Sequence, residues 1–317
     1  MAYVHHNIVA VGVDGSEESQ RALLWAAREA ATRGAQLQIV CCYQEPTNPQ
    51  FGGVGAKDLG LFKDEAEQIA AESKAEVDAL DVGIDVRTAI DPRDPTTVLV
   101  ELSKTAARVV VGARGGSGGF ADRALGSVSS ALTSRAYCAV VVVPFVDLDR
   151  LLPVKHIVCG VDGSDDSRNS LELAIREASR WGARLSCISA ANFGGTTWLP
   201  GAEYHDQILE DMKADLAEMI SDSMQGTNVD VRAHTVEGNP AALMTEFSAV
   251  VDLIVLGSRG RGGFAGLLLG STSQVVLEHA QCPTIVVPRR TSQNVENTPV
   301  SPWVRETIAE DEQDLPR

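Results

Sequence analysis

An internal duplication constrains this chain more than any other feature of its sequence. The segment VGVDGSEES, which contains Asp14, returns as CGVDGSDDS around Asp162, 148 positions later. Two further segments return in the same order, VVVGARGG as IVLGSRGR and LGSVSS as LGSTSQ, with offsets of 145 and 144 positions. The falling offsets indicate small insertions or deletions between the copies. The chain therefore contains two copies of one domain.

The predicted domains span residues 1–147 and 154–290, close to the usual size of one domain of roughly 150 residues. Residues 291–317 follow the second copy and contain few apolar side chains but a cluster of acidic ones after residue 305. Such a composition cannot bury enough apolar surface to fold. We expect this acidic tail to be disordered.

Within each copy, short runs rich in Val and Ile alternate with amphipathic helical stretches. The expected strands are Ile8–Val13, Leu37–Tyr43, Asp85–Ile90, Arg108–Gly112 and Ala139–Val143, then Ile157–Val161, Leu185–Ala190, Asp230–Val236, Leu253–Gly257 and Thr284–Val287. Continuous apolar strands separated by helices are typical of parallel sheets buried on both faces. We predict two tandem α/β domains, each a doubly wound, Rossmann-like sheet of five parallel strands in the flavodoxin-like order 3-2-1-4-5.

Two stretches interrupt this alternation. Residues 44–61 and 191–205 are predicted to be mobile loops, and we expect both near the carboxyl ends of the strands, where such sheets bind their ligands.

Charge and composition exclude several classes of partner. The chain has 43 acidic and 27 basic residues, a formal charge of -16, which disfavours nucleic acid and anionic membranes. It has neither an apolar run of about 18–20 residues nor the pattern of a signal peptide, so we expect a cytoplasmic protein. Six cysteines in apolar surroundings, with no CxxC pair, indicate reduced thiols, and the six histidines lack the spacing of a metal site.

The strongest site signal is a glycine-rich segment in copy two that contains Gly257, Gly260 and Gly270-Ser271. It follows a strand and precedes a helix. Glycines let backbone N–H groups approach a phosphate closely, and a helix N-terminus adds unpaired donors. The recurrence of the segment in copy one, after the same strand, predicts a phosphate-binding cradle without a lysine.

Asp14 and Asp162 end the first strand of each copy, at the edge where ligands bind. Two interpretations are open. Each carboxylate is either an N-cap for the next helix or a ligand contact toward a ribose, a base or a bound Mg²⁺.

The sequence does not match other well-known catalytic motifs. The chain has no GxxxxGK[ST] segment, so it is not a P-loop NTPase. Residues 115–119 formally fit the GxSxG nucleophile motif, but copy two has Gly262 at the aligned serine position, and no histidine follows Ser117 in copy one. No paired-carboxylate or Cys/His arrangement stands out.

The VDGS strand end, followed about 95 residues later by G-x2-G-x9-G-[ST], resembles the ATP-binding branch of the universal stress protein family. The tandem arrangement is similar to the two-domain stress proteins of actinobacteria. The resemblance implies the flavodoxin-like order, one ATP per domain together with Mg²⁺, and pairing of the domains along their last strands. The resemblance leaves open whether two chains also form a homodimer.

The family's binding residues carry over by position. Copy two fits fully, with Asp162, Ala190, Gly257, Gly260, Gly270, Ser271 and Thr272. Copy one has Asp14, Cys42, Gly112, Gly115 or Gly116, Gly126, Ser127 and Val128. It departs from the pattern because ten residues, not nine, separate Gly115 from Gly126, so either Gly115 or Gly116 can take the place of the second glycine. We therefore expect unequal sites, with copy two the tighter.

The resemblance implies a regulatory ATP-binding protein of the stress response with little or no hydrolysis, because no residue stands out as a dedicated base. Two alternatives stay open: a slow Mg²⁺-dependent ATPase or nucleotide hydrolase on the same fold, and an electron-carrier or flavin module. The family also contains members that bind no nucleotide or prefer a cyclic one.

Overall fold

The computed structural model describes residues 6–44, 56–115, 125–193, 202–224, 226–261 and 269–289. Within this part, the chain divides into two compact units between Phe145 and Val146. The predicted disordered tail, 291–317, lies outside the described residues. The predicted domain limits stay predictions.

Unit 1 is an α/β domain in which strands and helices alternate. Its elements are β1 (His6–Val13), α1 (Glu17–Arg33), β2 (Gln36–Cys42), α2 (Ala56–Ala79), β3 (Val86–Asp91), α3 (Pro95–Leu102), β4 (Ala106–Gly112), α4 (Ser127–Arg135) and β5 (Ala139–Val143). All neighbouring strands pair in parallel, in the order β3-β2-β1-β4-β5.

Unit 2 repeats this plan after a short 3-10 turn at Leu148–Arg150. Its elements are β6 (His156–Gly160), α5 (Asp165–Trp181), β7 (Arg184–Ala191), α6 (Ala202–Ser223), β8 (Val231–Glu237), α7 (Pro240–Phe247), β9 (Leu253–Gly257), α8 (Ser271–His279) and β10 (Thr284–Val287). The parallel order is β8-β7-β6-β9-β10. The prediction of two flavodoxin-like sheets is confirmed.

The first helix of each unit has clear sequence signals at both ends. Ser16 and Ser164 are the N-caps of α1 and α5, and each side chain accepts a hydrogen bond from the backbone three residues later. Gly34 and Gly182 end these helices at φ 58° and 65°, a left-handed conformation that glycine adopts without a steric penalty. The duplication therefore repeats the helix boundaries as well as the strands.

The central strands are buried on both faces. In β1 the consecutive residues Val9, Ala10 and Val11 are all fully buried, and Ile157, Val158 and Cys159 of β6 are equally inaccessible. Because successive side chains of a strand point to opposite faces, both faces of each sheet must be covered. This explains why these strands are continuously apolar rather than alternating.

The predicted loops are shorter than expected. α2 begins at Ala56 and α6 at Ala202, whereas the loops were predicted to extend to residues 61 and 205, and Ala191 belongs to β7. Most of the glycines and prolines that suggested a loop precede these helices. Gly60 lies inside α2, with open space where its Cβ would stand, so the helix accommodates it. Residues 45–55 and 194–201 lie outside the described part.

Unit 1 contains a buried charge cluster beneath its sheet. Glu29 of α1 accepts hydrogen bonds from Arg108 Nε at 2.8 Å, Arg33 Nε at 2.9 Å and Trp25 Nε1 at 3.2 Å. Burial acts to raise the pKa of Glu29, but the Arg108 and Arg33 charges and their hydrogen bonds outweigh it and lower the pKa. Glu29 is therefore ionised and held by two arginines inside the domain.

None of the helices in the described residues combines the length and apolar character that a membrane crossing requires.

Candidate functional site

A cavity of about 450 Å³ opens at the carboxyl ends of the strands of unit 2. This is the edge where doubly wound sheets bind their ligands. All seven residues predicted for copy two line it: Asp162, Ala190, Gly257, Gly260, Gly270, Ser271 and Thr272. The fold therefore brings one strand end, the glycine-rich segment and the start of α8 around one space.

Asp162 is the polar centre of this cavity. Its Oδ1 accepts hydrogen bonds from Ser164 N at 3.0 Å and Ser164 Oγ at 2.6 Å, and its Oδ2 accepts one from the backbone N–H of Arg261 at 2.6 Å. Ser164, not Asp162, is the N-cap of α5. The interpretation of the aspartate as the N-cap is therefore wrong. Asp162 instead orients the capping serine and anchors the glycine-rich segment.

The same bonds set the ionisation of Asp162. Burial acts to raise its pKa, but the hydrogen bonds from Ser164 and from the Arg261 backbone outweigh burial, and the pKa is lowered. A carboxylate with a lowered pKa stays ionised at neutral pH and is a weak proton acceptor.

The second glycine is required by this aspartate. A Cβ at Gly260 would overlap Asp162 Oδ2. Any side chain at this position would displace either the carboxylate or the segment that it holds, so glycine is the residue that permits the contact.

The first and third glycines meet other constraints. A Cβ at Gly257 would lie 2.9 Å from Arg259 O and 3.2 Å from Ser170 Oγ, and one at Gly270 would lie 3.3 Å from Arg259 Cα. Gly270 also donates its N–H to Ser258 O at 2.8 Å. Gly270 is the N-cap of α8 and has no side chain to accept from the first turn. Ser271 and Thr272 line the cavity at the start of α8, where no side chain at position 270 caps the first backbone donors of the helix.

Apolar side chains make up another part of the cavity lining. Ile188, Leu243, Met244 and Leu256 line the cavity together with Ala190. Of these apolar residues, Ala190 alone was predicted from the sequence. Leu243 and Met244 belong to α7, and only folding shows that this helix faces the strand ends.

Unit 1 repeats the polar geometry. A Cβ at Gly115 would overlap Asp14 Oδ2, and Gly126 donates its N–H to Ala113 O at 2.8 Å. Asp14 Oδ1 accepts from Ser16 N at 3.1 Å and Ser16 Oγ at 2.5 Å. Gly115 therefore stands where Gly260 stands in unit 2. The alternative residue, Gly116, lies outside the described residues.

The extra residue of copy one does not alter the ends of its segment. Ser129 Oγ donates to Gly112 O at 3.0 Å, as Ser273 Oγ donates to Gly257 O at 2.7 Å. The insertion falls between Gly115 and Gly126, mostly beyond the described part. Ser127 and Val128 open α4 as Ser271 and Thr272 open α8.

Cys42 ends β2 at the position that Ala190 occupies in β7. It is half-buried, whereas the other five cysteines, all within the described residues, are buried. Burial raises the pKa of the Cys42 thiol to about 12, with a further contribution from the charge of Asp91. Unit 1 thus carries a neutral thiol where unit 2 has a methyl group.

Comparison with known families agrees with this geometry. The profile of the universal stress protein family matches residues 6–144 and again residues 153–288. The chain belongs to the universal stress protein family. Both copies of the duplicated domain are members.

Tandem universal stress proteins resemble the chain along most of its length. A universal stress protein of Mycobacterium tuberculosis strain H37Rv is 34% identical over 292 residues, which cover 88% of this chain and 96% of that protein. A second from the same strain is 32% identical over 295 residues, covering 88% and 95%. The crystal structure of a universal stress protein from Archaeoglobus fulgidus superposes with a TM-score of 0.66 at 19% identity, covering 90% of this chain and 98% of that one. The last similarity concerns the fold alone.

Proposed function

We propose that this universal stress protein binds ATP in each unit and acts as a regulatory nucleotide-binding protein of the stress response. One observation carries the proposal. The cavity of unit 2 combines an apolar wall, a fixed carboxylate and an uncapped helix start within about 450 Å³, a volume in the usual range for small-molecule sites of roughly 300–1,000 Å³.

The residues that line the cavity suit the different parts of a nucleotide. Ile188, Leu243 and Leu256 offer apolar surface to a flat base, and the backbone N–H groups at Ser271 and Thr272 are donors for phosphate oxygens. Asp162 lines the same cavity and offers a carboxylate to a ribose hydroxyl. Mg²⁺ bound with the phosphates would find in Asp162 a carboxylate oxygen, the ligand type that it prefers.

Hydrolysis should be slow or absent. Among the described residues that line the cavity, Asp162 is the one carboxylate, and no histidine, lysine or cysteine accompanies it. Its lowered pKa makes it a poor general base, since efficient bases have a pKa near the working pH. The alternative, a slow Mg²⁺-dependent ATPase or nucleotide hydrolase, would have to rely on charge stabilisation alone.

Two measurements on the full chain test the proposal. Mass spectrometry after mild denaturation identifies any nucleotide that co-purifies, and calorimetry with ATP and Mg²⁺ gives the stoichiometry. We expect an adenine nucleotide and two sites per chain. A yellow chromophore would favour the flavin alternative, and several turnovers per second would favour the enzyme. Pairing of the units, a homodimer and a cytoplasmic location stay predictions.

A further inference from the structure

The two units differ at the Asp–Gly turn that ends the first strand. Gly15 and Gly163 share the same left-handed backbone, with φ 77° and 78°. In unit 2 the guanidinium of Arg261 covers this turn and donates from Nη2 to Gly163 O at 3.2 Å. In unit 1 the side chain of Ile69, from α2, covers it, with Cδ1 3.2 Å from where a Cβ of Gly15 would stand. One turn is therefore covered by a cation and the other by an aliphatic side chain.

The glycine-rich segment of copy two is also more positively charged than that of copy one. Between the first and third glycines, unit 2 has two cations, Arg259 and Arg261, and no acidic residue. The corresponding segment of copy one has Arg114, Asp122 and Arg123, a net charge of +1. At the position that follows the second glycine, unit 1 has Gly116 where unit 2 has Arg261.

Arg261 is held in place by its own backbone. Its N–H donates to Asp162 Oδ2 at 2.6 Å, and it lines the cavity beside Gly260. A guanidinium stays charged at any physiological pH and offers five donors in a planar fork that matches phosphate oxygens. The backbone bond fixes the start of the side chain, and the bond from Nη2 to Gly163 O places the guanidinium over the turn next to Asp162.

We propose that Arg261 makes the unit 2 site discriminate nucleotides by their number of phosphates. This rests on the proposed nucleotide-binding function. Unit 2 takes nucleoside diphosphates and triphosphates in strong preference to monophosphates, because each added phosphate adds negative charge next to the guanidinium. Unit 1, with Ile69 over its turn, gains much less from added phosphates and accepts a monophosphate nearly as well as a triphosphate. The two sites of one chain thus respond to different ligands.

Site-resolved binding on the full chain tests this inference. Hydrogen–deuterium exchange mass spectrometry, titrated with AMP, ADP and ATP at constant ionic strength, reports the occupancy of each unit from its own peptides. We expect the affinity gain from AMP to ATP to be at least tenfold larger in unit 2 than in unit 1. In Arg261→Ala, the affinity gain of unit 2 from AMP to ATP should fall by about tenfold or more, which is the effect of one charge-assisted hydrogen bond. The affinity of unit 2 for AMP should change less than about threefold.

The matched control is Arg232→Ala. Arg232 lies at the amino end of β8, with its side chain 62% exposed, so this variant removes an equal charge far from the cavity and should keep the unit 2 gain. Equal gains in both units, or an unchanged gain in Arg261→Ala, would overturn the inference and leave the proposed function standing. Failure of all three nucleotides to protect either unit would overturn the proposed function itself.

Discussion

Asp162 places its Oδ2 where a Cβ of Gly260 would stand, and Asp14 stands in the same relation to Gly115. The aspartate and the second glycine of each motif are therefore one packed pair. The carboxylate shapes the glycine-rich segment before any ligand arrives, and it does so by accepting the backbone N–H of the next residue in unit 2. The absence of a side chain at the glycine is what admits the carboxylate.

A first prediction follows for this pair. Gly260→Ala should weaken ATP binding at unit 2 by roughly tenfold or more, because the new methyl group breaks a charge-assisted bond of about 1.5–3 kcal/mol. Overpacking should also cost about 1–3 kcal/mol of stability. Calorimetry and urea unfolding measure the two effects.

Two further variants separate packing from binding in this experiment. Gly60→Ala is the control, because nothing lies within 4 Å of its Cβ position in α2, and it should leave binding intact. Asp162→Ala combined with Gly260→Ala should recover stability but not affinity. Full ATP affinity in Gly260→Ala would contradict the pairing.

A second prediction concerns the thiol at the end of β2. Cys42 is the cysteine that is not buried, so a disulfide reagent should modify one thiol per native chain, and ATP should slow the reaction. With a pKa of about 12, the reactive thiolate is scarce, and the rate should rise about tenfold per pH unit between pH 7 and 10. Cys42→Ser should abolish the reaction. A rate that ATP leaves unchanged would argue against a ligand at this strand end.

A third prediction concerns the buried cluster around Glu29. Arg108→Leu should destabilise the protein by about 3–5 kcal/mol, because it leaves a buried carboxylate with less compensation. Adding Glu29→Gln should recover at least half of that loss, since the neutral amide still accepts from Trp25. Urea unfolding of the three proteins provides the comparison. Unit 2 has Leu253 at the position of Arg108, which shows that the fold accommodates leucine there. A loss below 1 kcal/mol in the single variant would mean that Arg33 alone balances the charge.

A fourth prediction concerns pH. His156 begins β6, with its Nδ1 3.1 Å from Arg184 Nη2 and its Nε2 2.9 Å from Ser186 Oγ. Because a guanidinium only donates, Nδ1 accepts and the ring is neutral. Burial, followed by the charge of Arg184, lowers its pKa, with smaller contributions from Arg232 and His234 in the same direction and from Asp252 against it.

The lowered pKa of His156 determines how the stability of the protein changes with pH. The stability contributed by neutral His156 is complete above the unfolded pKa of about 6.5 and is lost as pH falls through the folded value. Unfolding free energies at pH 7.5 and 5.0 should differ more in the wild-type protein than in His156→Ile, which introduces the residue that unit 1 has as Ile8. Identical pH slopes in the two proteins would rule this out.

The sequence alone determined the duplication and the positions of the strands, and its resemblance to a known family predicted the strand order and seven of the residues that line the cavity of unit 2. The strands and the glycine-rich segments could be predicted because their signals are local: Val and Ile runs predict buried strands, and glycines after a strand predict a close backbone approach. Only the tertiary structure decided that Gly115 packs against Asp14, that Ser164 rather than Asp162 caps α5, and that Arg261 and Ile69 cover equivalent turns. The cap is a local contact, but the contacts of Gly115 and Arg261 join residues far apart in the chain, 99 positions for Asp162 and Arg261, and they depend on the packing of elements that no local pattern encodes.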